Sequence, residues 1–388
     1  MKCSTVLGLI LVVMPAAAGC MKKPVSSTAV DHNDRGVAML AAGDASAALE
    51  EFKLALTADP GNARTYNNLG LAYMALGDHG NAEAALLGSI QLQPDFPQAH
   101  NNLGLVYFSQ SRPREAVRCF NAALARDRNF IDARINLGWV ELSQGDRAGA
   151  RAHFDRALAL DPESASAHQY LGNLEASEGN LEQAARHFQL ATELAPELSA
   201  AHANLGACRL RLGAPVMAED SFRRALELDP VNREALDGMG ALALDREDGA
   251  TARMYFQRAL EVVPTDPIAH YNLGLMAQLG GDRATAAAHY TAAAEADPAF
   301  VDAYYNLGLV RREEGDLAAA LEAFETALRI APDHAAACCQ AGLVLLGLNR
   351  IAEGLARLEE FVRIAPAELK DLADQAEAVI REMAADRQ

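Results

Sequence analysis

The chain has 388 residues, with 34 Lys and Arg against 52 Asp and Glu for a formal charge of −18, and 51% of its residues are hydrophobic. So acidic a body argues against nucleic acid as a partner, while the apolar content is that of a chain able to bury a core. Beyond Cys20 the cysteines are Cys119, Cys208, Cys338 and Cys339 with no Cys-x-x-Cys pair, so neither a disulfide framework nor a structural zinc site is indicated. At the N-terminus, Lys2 precedes an apolar run from Val6 to Val13 that is too short to span a bilayer, and Ala16-Ala17-Ala18-Gly19 then leads to Cys20. This predicts a cleavable export signal over residues 1–19.

Small residues directly before a cysteine resemble the bacterial lipoprotein box, with Ala17 where Leu is commoner. The resemblance implies that Cys20 becomes the lipidated first residue of the mature chain, anchored to a membrane without spanning it. The alternative is a secretory cut after Ala18. Met21, rather than Asp, after the cysteine implies the outer membrane of a Gram-negative envelope, facing the periplasm. Residues 20–28 then form a tether of at most about 30 Å.

From residue 29 onward a glycine recurs every 34 residues: Gly36, Gly70, Gly104, Gly138, Gly172, Gly206, Gly240, Gly274, Gly308 and Gly342. A fixed period in this range marks a stacked repeat array. Twelve residues after the glycine comes Ala in every copy but the last, and sixteen after it a large apolar residue such as Phe52, Phe120 or Phe256. Counted from the glycine, positions −4, −1, 0 and +3 form one helical stripe and +12, +16 and +19 a second, so each unit is a pair of helices. A second glycine seven residues on (Gly43, Gly77, Gly145, Gly179, Gly213, Gly281, Gly315) predicts a left-handed cap between them. Asp44, Asp78, Asp146, Asn180, Asp282 and Asp316 follow as expected N-caps of the second helix. Repeat three, with Ser111-Arg112-Pro113 and Arg128, is expected to depart in its turn and in its junction to repeat four. Repeat seven replaces the turn glycine with Glu247, and repeat ten reads as a worn terminal unit. Leu369, Leu372, Ala373, Ala376, Val379, Ile380 and Met383 make a last stripe, a capping helix over residues 369–388.

The alternation from Tyr66 through Leu69-Gly70 to Tyr73, then Ala82, Leu86 and Pro94, resembles the tetratricopeptide repeat, and the likeness covers residues 29–368. It implies an all-α, right-handed superhelical solenoid of ten helix-turn-helix repeats, with first helices lining the concave wall.

Sequence motifs for catalysis are lacking. Gly238-Met239-Gly240-Ala241-Leu242-Ala243 has the letters of a dinucleotide loop, but no strand pattern precedes it and Gly240 is a repeat glycine. Histidines fall four before the glycine (His32, His100, His168, His202, His270) and on second helices (His153, His187, His289). The first set sits where ring packing is expected. His153 and His187 could face each other one repeat apart, but two ligands make a poor metal site. The expectation is a non-enzyme with no cofactor and no metal.

Two positions before the glycine stand Asn68, Asn102, Asn136, Asn204, Asn272 and Asn306, interrupted by Tyr170, Gly238 and Gln340. In the repeat arrays of protein O-linked N-acetylglucosamine transferases, which this column resembles, such asparagines grip an extended peptide, since a carboxamide is both donor and acceptor. The other reading is that they bond within the array. On the same expected face, Asn67, Leu71, Met74, Asn101, Leu105, Phe108 and Trp139 form one apolar and amide patch, and Tyr271, Leu275, Tyr305 and Leu309 a second. Ala203, Ala207, Asp237 and Ala241 make the wall between them small and smooth. Trp139 is the single Trp, and reads either as a binding hot spot or as packing on a neighbouring helix. Together these features point to a lipid-anchored periplasmic scaffold that binds extended segments of partner proteins. Anchor plus repeats resembles pilotin lipoproteins, tight-adherence pilus lipoproteins, adaptors of cell-wall hydrolases and lipoproteins of exopolysaccharide export. A self-associating structural spacer and an accessory subunit of a glycosyltransferase or wall hydrolase are the alternatives.

Overall fold

A computed structural model describes residues 27–385; the expected signal peptide and Cys20 lie outside the described residues. Among the described residues the chain is all-helical, without a strand. The helices come in pairs, one pair per glycine: Ser27–Ala41 with Ala45–Ala58, Ala63–Ala75 with His79–Leu92, Pro97–Ser109 with Pro113–Arg126, Ile131–Ser143 with Arg147–Leu160, and Ala165–Ser177 with Leu181–Leu194. The series continues with Ser199–Arg211 and Pro215–Leu228, Arg233–Asp245 and Gly249–Val262, Pro267–Leu279 and Arg283–Ala296, Val301–Glu313 and Leu317–Ile330, and Ala335–Gly347 and Ile351–Ile364. Two compact units divide the described residues, 27–201 and 202–385. No helix among them is long and apolar enough to cross a membrane.

The glycine of the period has a packing role. A β-carbon added at Gly104 would stand 2.6 Å from the Phe120 ring, and one at Gly308 would stand 2.5 Å from Phe324; the other eight meet the +16 side chain of their own repeat in the same way. Those rings and leucines are buried completely or nearly so. The bare backbone of the first helix is thus the socket for the largest side chain of the second, which draws the pair together.

All ten turns take the left-handed conformation. The seven turn glycines have φ between 74° and 88°, and Ser111, Glu247 and Asn349 adopt φ of 60°, 59° and 60° in the remaining three. Their hydrogen bonds match: the Gly77 and Asp78 amides reach the carbonyls of Met74 and Tyr73, and those of Ser111 and Arg112 reach Phe108 and Tyr107. Repeat three therefore keeps the same turn and the same helix lengths as its neighbours, contrary to the departure expected from its sequence. Asp44, Asp78, Asp146, Asp282 and Asp316 cap their helices by accepting the third amide. Asn180 makes no such bond, because its Nδ2 donates instead to Glu175 Oε2 at 2.8 Å.

In the unit 202–385 the terminal helix Lys370–Ala385 closes the array. Ala376 is buried with Phe324, Cys338, Leu358 and Phe361, and Leu369, Leu372, Ala373, Val379 and Ile380 pack around them. Phe361 occupies the position that is small in other repeats, and its ring belongs to this same cluster.

Candidate functional site

Within the unit 27–201, the first helices of successive repeats touch one another, and the second helices do not do so to the same extent. In the other unit, Val301–Glu313 and Ala335–Gly347 touch likewise. The first helices are therefore the inner side of each unit, and their exposed residues form its candidate recognition face.

In repeats two to four the asparagine column does not lie open on that face. Asn67, Asn68, Asn101, Asn102 and Asn136 are all fully buried. Asn136 Nδ2 donates to Asn101 Oδ1 at 2.9 Å, Asn101 to Asn102 at 3.3 Å, Asn102 to Asn67 at 2.9 Å, Asn67 to Asn68 at 3.3 Å, and Asn68 to Asn33 at 3.1 Å. A carboxamide two before one glycine thus reaches the carboxamide three before the previous glycine. Donor follows acceptor across four repeats, and each bond contributes about 0.5–1.5 kcal/mol net. The chain of amides ends where repeat four has Ile135 instead of Asn, which leaves Asn136 Oδ1 buried with no partner among the described residues. The reading of Asn68, Asn102 and Asn136 as groove-lining residues is corrected accordingly: they are joints between repeats. Leu71 and Leu105, expected on the wall, are likewise buried, Leu105 against Phe120, Leu137 and Val140.

The half-buried side chains beside them are Met74, Phe108 and Trp139. Trp139 lies tilted against Tyr170 with centroids 5.6 Å apart, and Tyr170 stacks on Phe154. Tyr170 interrupts the asparagine column because its ring fills this aromatic junction instead.

In the unit 202–385 the face is more open. Asn204, Asn272, Asn306, Tyr271, Tyr305, Leu275 and Leu309 are all half-buried, and Leu343 is 40% exposed. The joint geometry recurs at Asn306, whose Nδ2 donates to the Tyr271 hydroxyl at 3.0 Å. Tyr271 packs on Tyr290 and Phe300, and Tyr305 on Phe324 and His334. Asn272 turns instead to the Ile268 carbonyl of its own helix, 2.9 Å away.

Asp237, expected on a smooth wall, is a buried acid. Its Oδ2 accepts from Arg233 at 3.1 Å, Arg233 also reaches Asp266 at 2.7 Å, and Asp237 Oδ1 is buried without a partner among the described residues. Burial, followed by the nearby Asp266 charge, pushes its pKa up to about 8.

Four of the histidines pair within a repeat. His168 Nδ1 lies 3.0 Å from His187 Nδ1, and His270 Nδ1 lies 3.0 Å from His289 Nδ1. His153 meets Glu141 at 3.4 Å, so His153 and His187 do not form the facing pair that their positions suggested. The pairing was legible in the spacing, since the two histidine positions are 19 apart in both repeats. Burial raises the thiol pKa of Cys119 and Cys338 to about 11 and raises those of Cys208 and Cys339, so these cysteines are poor nucleophiles near neutrality.

The tetratricopeptide repeat family matches residues 101–165, 135–199 and 280–335, and a second description of the same repeat matches 61–129. The middle TPR-like domain of cilia and flagella-associated protein 70 matches 172–294. No curated protein matches in a full-sequence search. Among solved structures, human IFIT1, in a dimer with PPP-AAAA, is similar at 18% identity over 78% of this chain and 73% of its own, with a TM-score of 0.53. A chain of the APC/C hetero-tetramer Cut9–Hcn1 is similar at 15% identity over 90% and 97%, with a TM-score of 0.50. PilF of Pseudomonas aeruginosa shares 22% identity over 53% of this chain and 94% of its own, with a TM-score of 0.47.

Proposed function

We propose that this chain, whose units are tetratricopeptide repeats, is a protein-binding adaptor held to a bacterial outer membrane by a lipid on Cys20, with its body in the periplasm. The observation that carries the binding role is the unequal use of the first-helix face. Repeats two to four spend their asparagines on the joints, whereas Asn204, Asn272, Asn306, Tyr271, Tyr305, Leu309 and Leu343 keep part of their surface open. Half-buried tyrosines and leucines beside carboxamides suit an extended segment, the ring faces taking apolar side chains and the amides taking backbone groups. Phe108 and Trp139 offer a smaller anchor of the same kind in the other unit. The assembly served is proposed to be an envelope machine such as a pilus, a secretin or a polysaccharide exporter.

Photo-crosslinking in the native envelope tests the face. Adducts with another envelope protein from positions 139, 309 and 343, and not from the exposed second-helix position 257, are expected. Equal labelling from 257, or adducts only with a second copy, would transfer the role to a spacer. For the anchor, Cys20→Ala should release the protein from membranes into the soluble periplasm, and unchanged membrane fractionation would count against lipidation.

A further inference from the structure

Several first helices fasten the side chain four before the glycine to the carbonyl six residues earlier, in the loop from the preceding repeat. His100 Nε2 lies 3.1 Å from the Pro94 oxygen, His168 Nε2 3.2 Å from that of Pro162, and His270 Nε2 3.1 Å from that of Pro264. In repeat four the position is Arg134, and its Nη2 donates to the carbonyl of Arg128, the residue that stands where the other nine repeats have Pro. A group that can be neutral is thus replaced by a permanent cation. No acid answers that charge. The residue 19 further on, which supplies Glu51 to His32, is His153 here and meets Glu141 instead. Arg134 Nε is buried without a partner among the described residues, although the side chain as a whole is only half-buried. Arg156 adds a second cation. It stands 28 residues after Arg128, the spacing at which Arg258 Nη2 reaches the Pro230 carbonyl oxygen at 3.0 Å, but here Arg134 already holds the equivalent carbonyl. Burial, then the Arg156 charge, lowers the Arg134 pKa.

We propose that Arg128, Arg134 and Arg156, on the loop edge between repeats three and four, form a binding site for a phosphate group, free or on a lipid headgroup. None of the three makes an ion pair among the described residues, whereas Arg112 and Arg151 beside them do. The acids nearest in sequence are occupied or remote: Asp127 accepts from the Asn129 amide at 2.9 Å, burial alone raises the pKa of Asp132, and Asp155 lies in the field of His187. In a chain of net charge −18, arginines gathered without an acid repel one another until an anion joins them. A tetrahedral oxyanion can offer an oxygen to each of three guanidinium groups, where a carboxylate has two in all. Arg134 is set in place by its bond to the Arg128 carbonyl, and the exposed Arg128 and Arg156 side chains can fold onto the anion beside it. The site lies outside the recognition face and does not depend on the adaptor reading.

Thermal melting of the full chain in inorganic phosphate, against sodium chloride at equal ionic strength, tests the site. Wild-type protein should show a saturable rise in melting temperature that chloride does not give. Arg134→Gln and Arg156→Gln should each lose that rise, while Arg147→Gln, which removes another exposed arginine from the same second helix as Arg156, should keep it. Arg156 is exposed, so its substitution leaves the packing intact even if Arg134→Gln disturbs the loop. No phosphate-specific rise in the wild type, or a rise retained by the double variant with its circular dichroism unchanged, would overturn the assignment. Sedimentation with phosphatidylglycerol vesicles then identifies the source, using the Cys20→Ala chain so that a lipid on that residue cannot drive binding. Retention that Arg156→Gln abolishes assigns the site to a headgroup, and a phosphate-induced rise without retention assigns it to a soluble phosphate compound.

Discussion

Asn102 separates the two readings of the asparagine column. Its Nδ2 donates to Asn67 Oδ1 at 2.9 Å and its Oδ1 accepts from Asn101 Nδ2 at 3.3 Å, and all three residues are fully buried. Asn102→Ala leaves one acceptor and one donor orphaned inside the protein. At about 1–3 kcal/mol for each group the loss is ~2–6 kcal/mol, with the longer bond pulling the value toward the lower half. Asn272→Ala removes only a bond from a half-buried side chain to the carbonyl one turn back, so its effect should stay within about 0.5 kcal/mol. Urea unfolding gives the overall ranking, but a repeat array can open locally, so the decisive readout is amide hydrogen exchange in Ala63–Ala75 and Pro97–Ser109. Protection there should drop in Asn102→Ala and stay unchanged in Asn272→Ala. Asn102→Asp should behave like Asn102→Ala, because it turns a second acceptor toward Asn67 Oδ1. Equal effects of Asn102→Ala and Asn272→Ala, or undiminished protection in repeats two and three, would refute the joint role and return these carboxamides to the recognition face.

Three other perturbations follow from the geometry. Glu247→Gly places glycine at a φ of 59° and should stabilise the chain by about 0.5–1 kcal/mol in a denaturant titration, since a β-carbon is strained there. Asp237→Asn should also stabilise near pH 8, by about 1–3 kcal/mol, by supplying a neutral amide where an oxygen lacks a partner. Because the folded pKa is raised to about 8 from 3.8, the acid holds its proton in the native state while the unfolded chain has lost it. Wild-type stability contributed by this group therefore falls as pH climbs from about 4 to 8, and the melting-temperature advantage of the Asp237→Asn variant should shrink toward pH 4. His187 and His289 have the opposite sign. Burial, then the facing imidazole, lowers both pKa values, so their contribution is complete above the ordinary value of 6.5 and is lost as acid protonates the pair. The double variant His187→Gln, His289→Gln should lose less melting temperature than wild type between about pH 7 and pH 5.

What the sequence made legible follows from what a period constrains. The socket at Gly104 and the left-handed turns are contacts within one repeat, so each is written ten times and the spacing reveals it. Even the worn turns obey it: Ser111 and Glu247 are held at positive φ by helices on both sides whose own packing is intact. The asparagine column was harder to read because its bonds join different columns of neighbouring repeats. Whether Asn102 is a joint or a ligand for a peptide depends on Asn67 three before the previous glycine, and Asn136 shows the dependence, losing its second partner where Ile135 replaces Asn. Asp237 was misplaced for a related reason, since a charge in a nominally exposed column gives no sign that Arg233 and Asp266 enclose it. A repeated residue thus identifies the framework, and pairs of unlike residues between adjacent repeats decide which parts of a face are spent on the framework. The remainder is available for recognition. By that criterion Trp139 is partly committed to Tyr170, whereas Leu309 and Leu343, which keep surface on the first-helix face, are the stronger places to look for a partner.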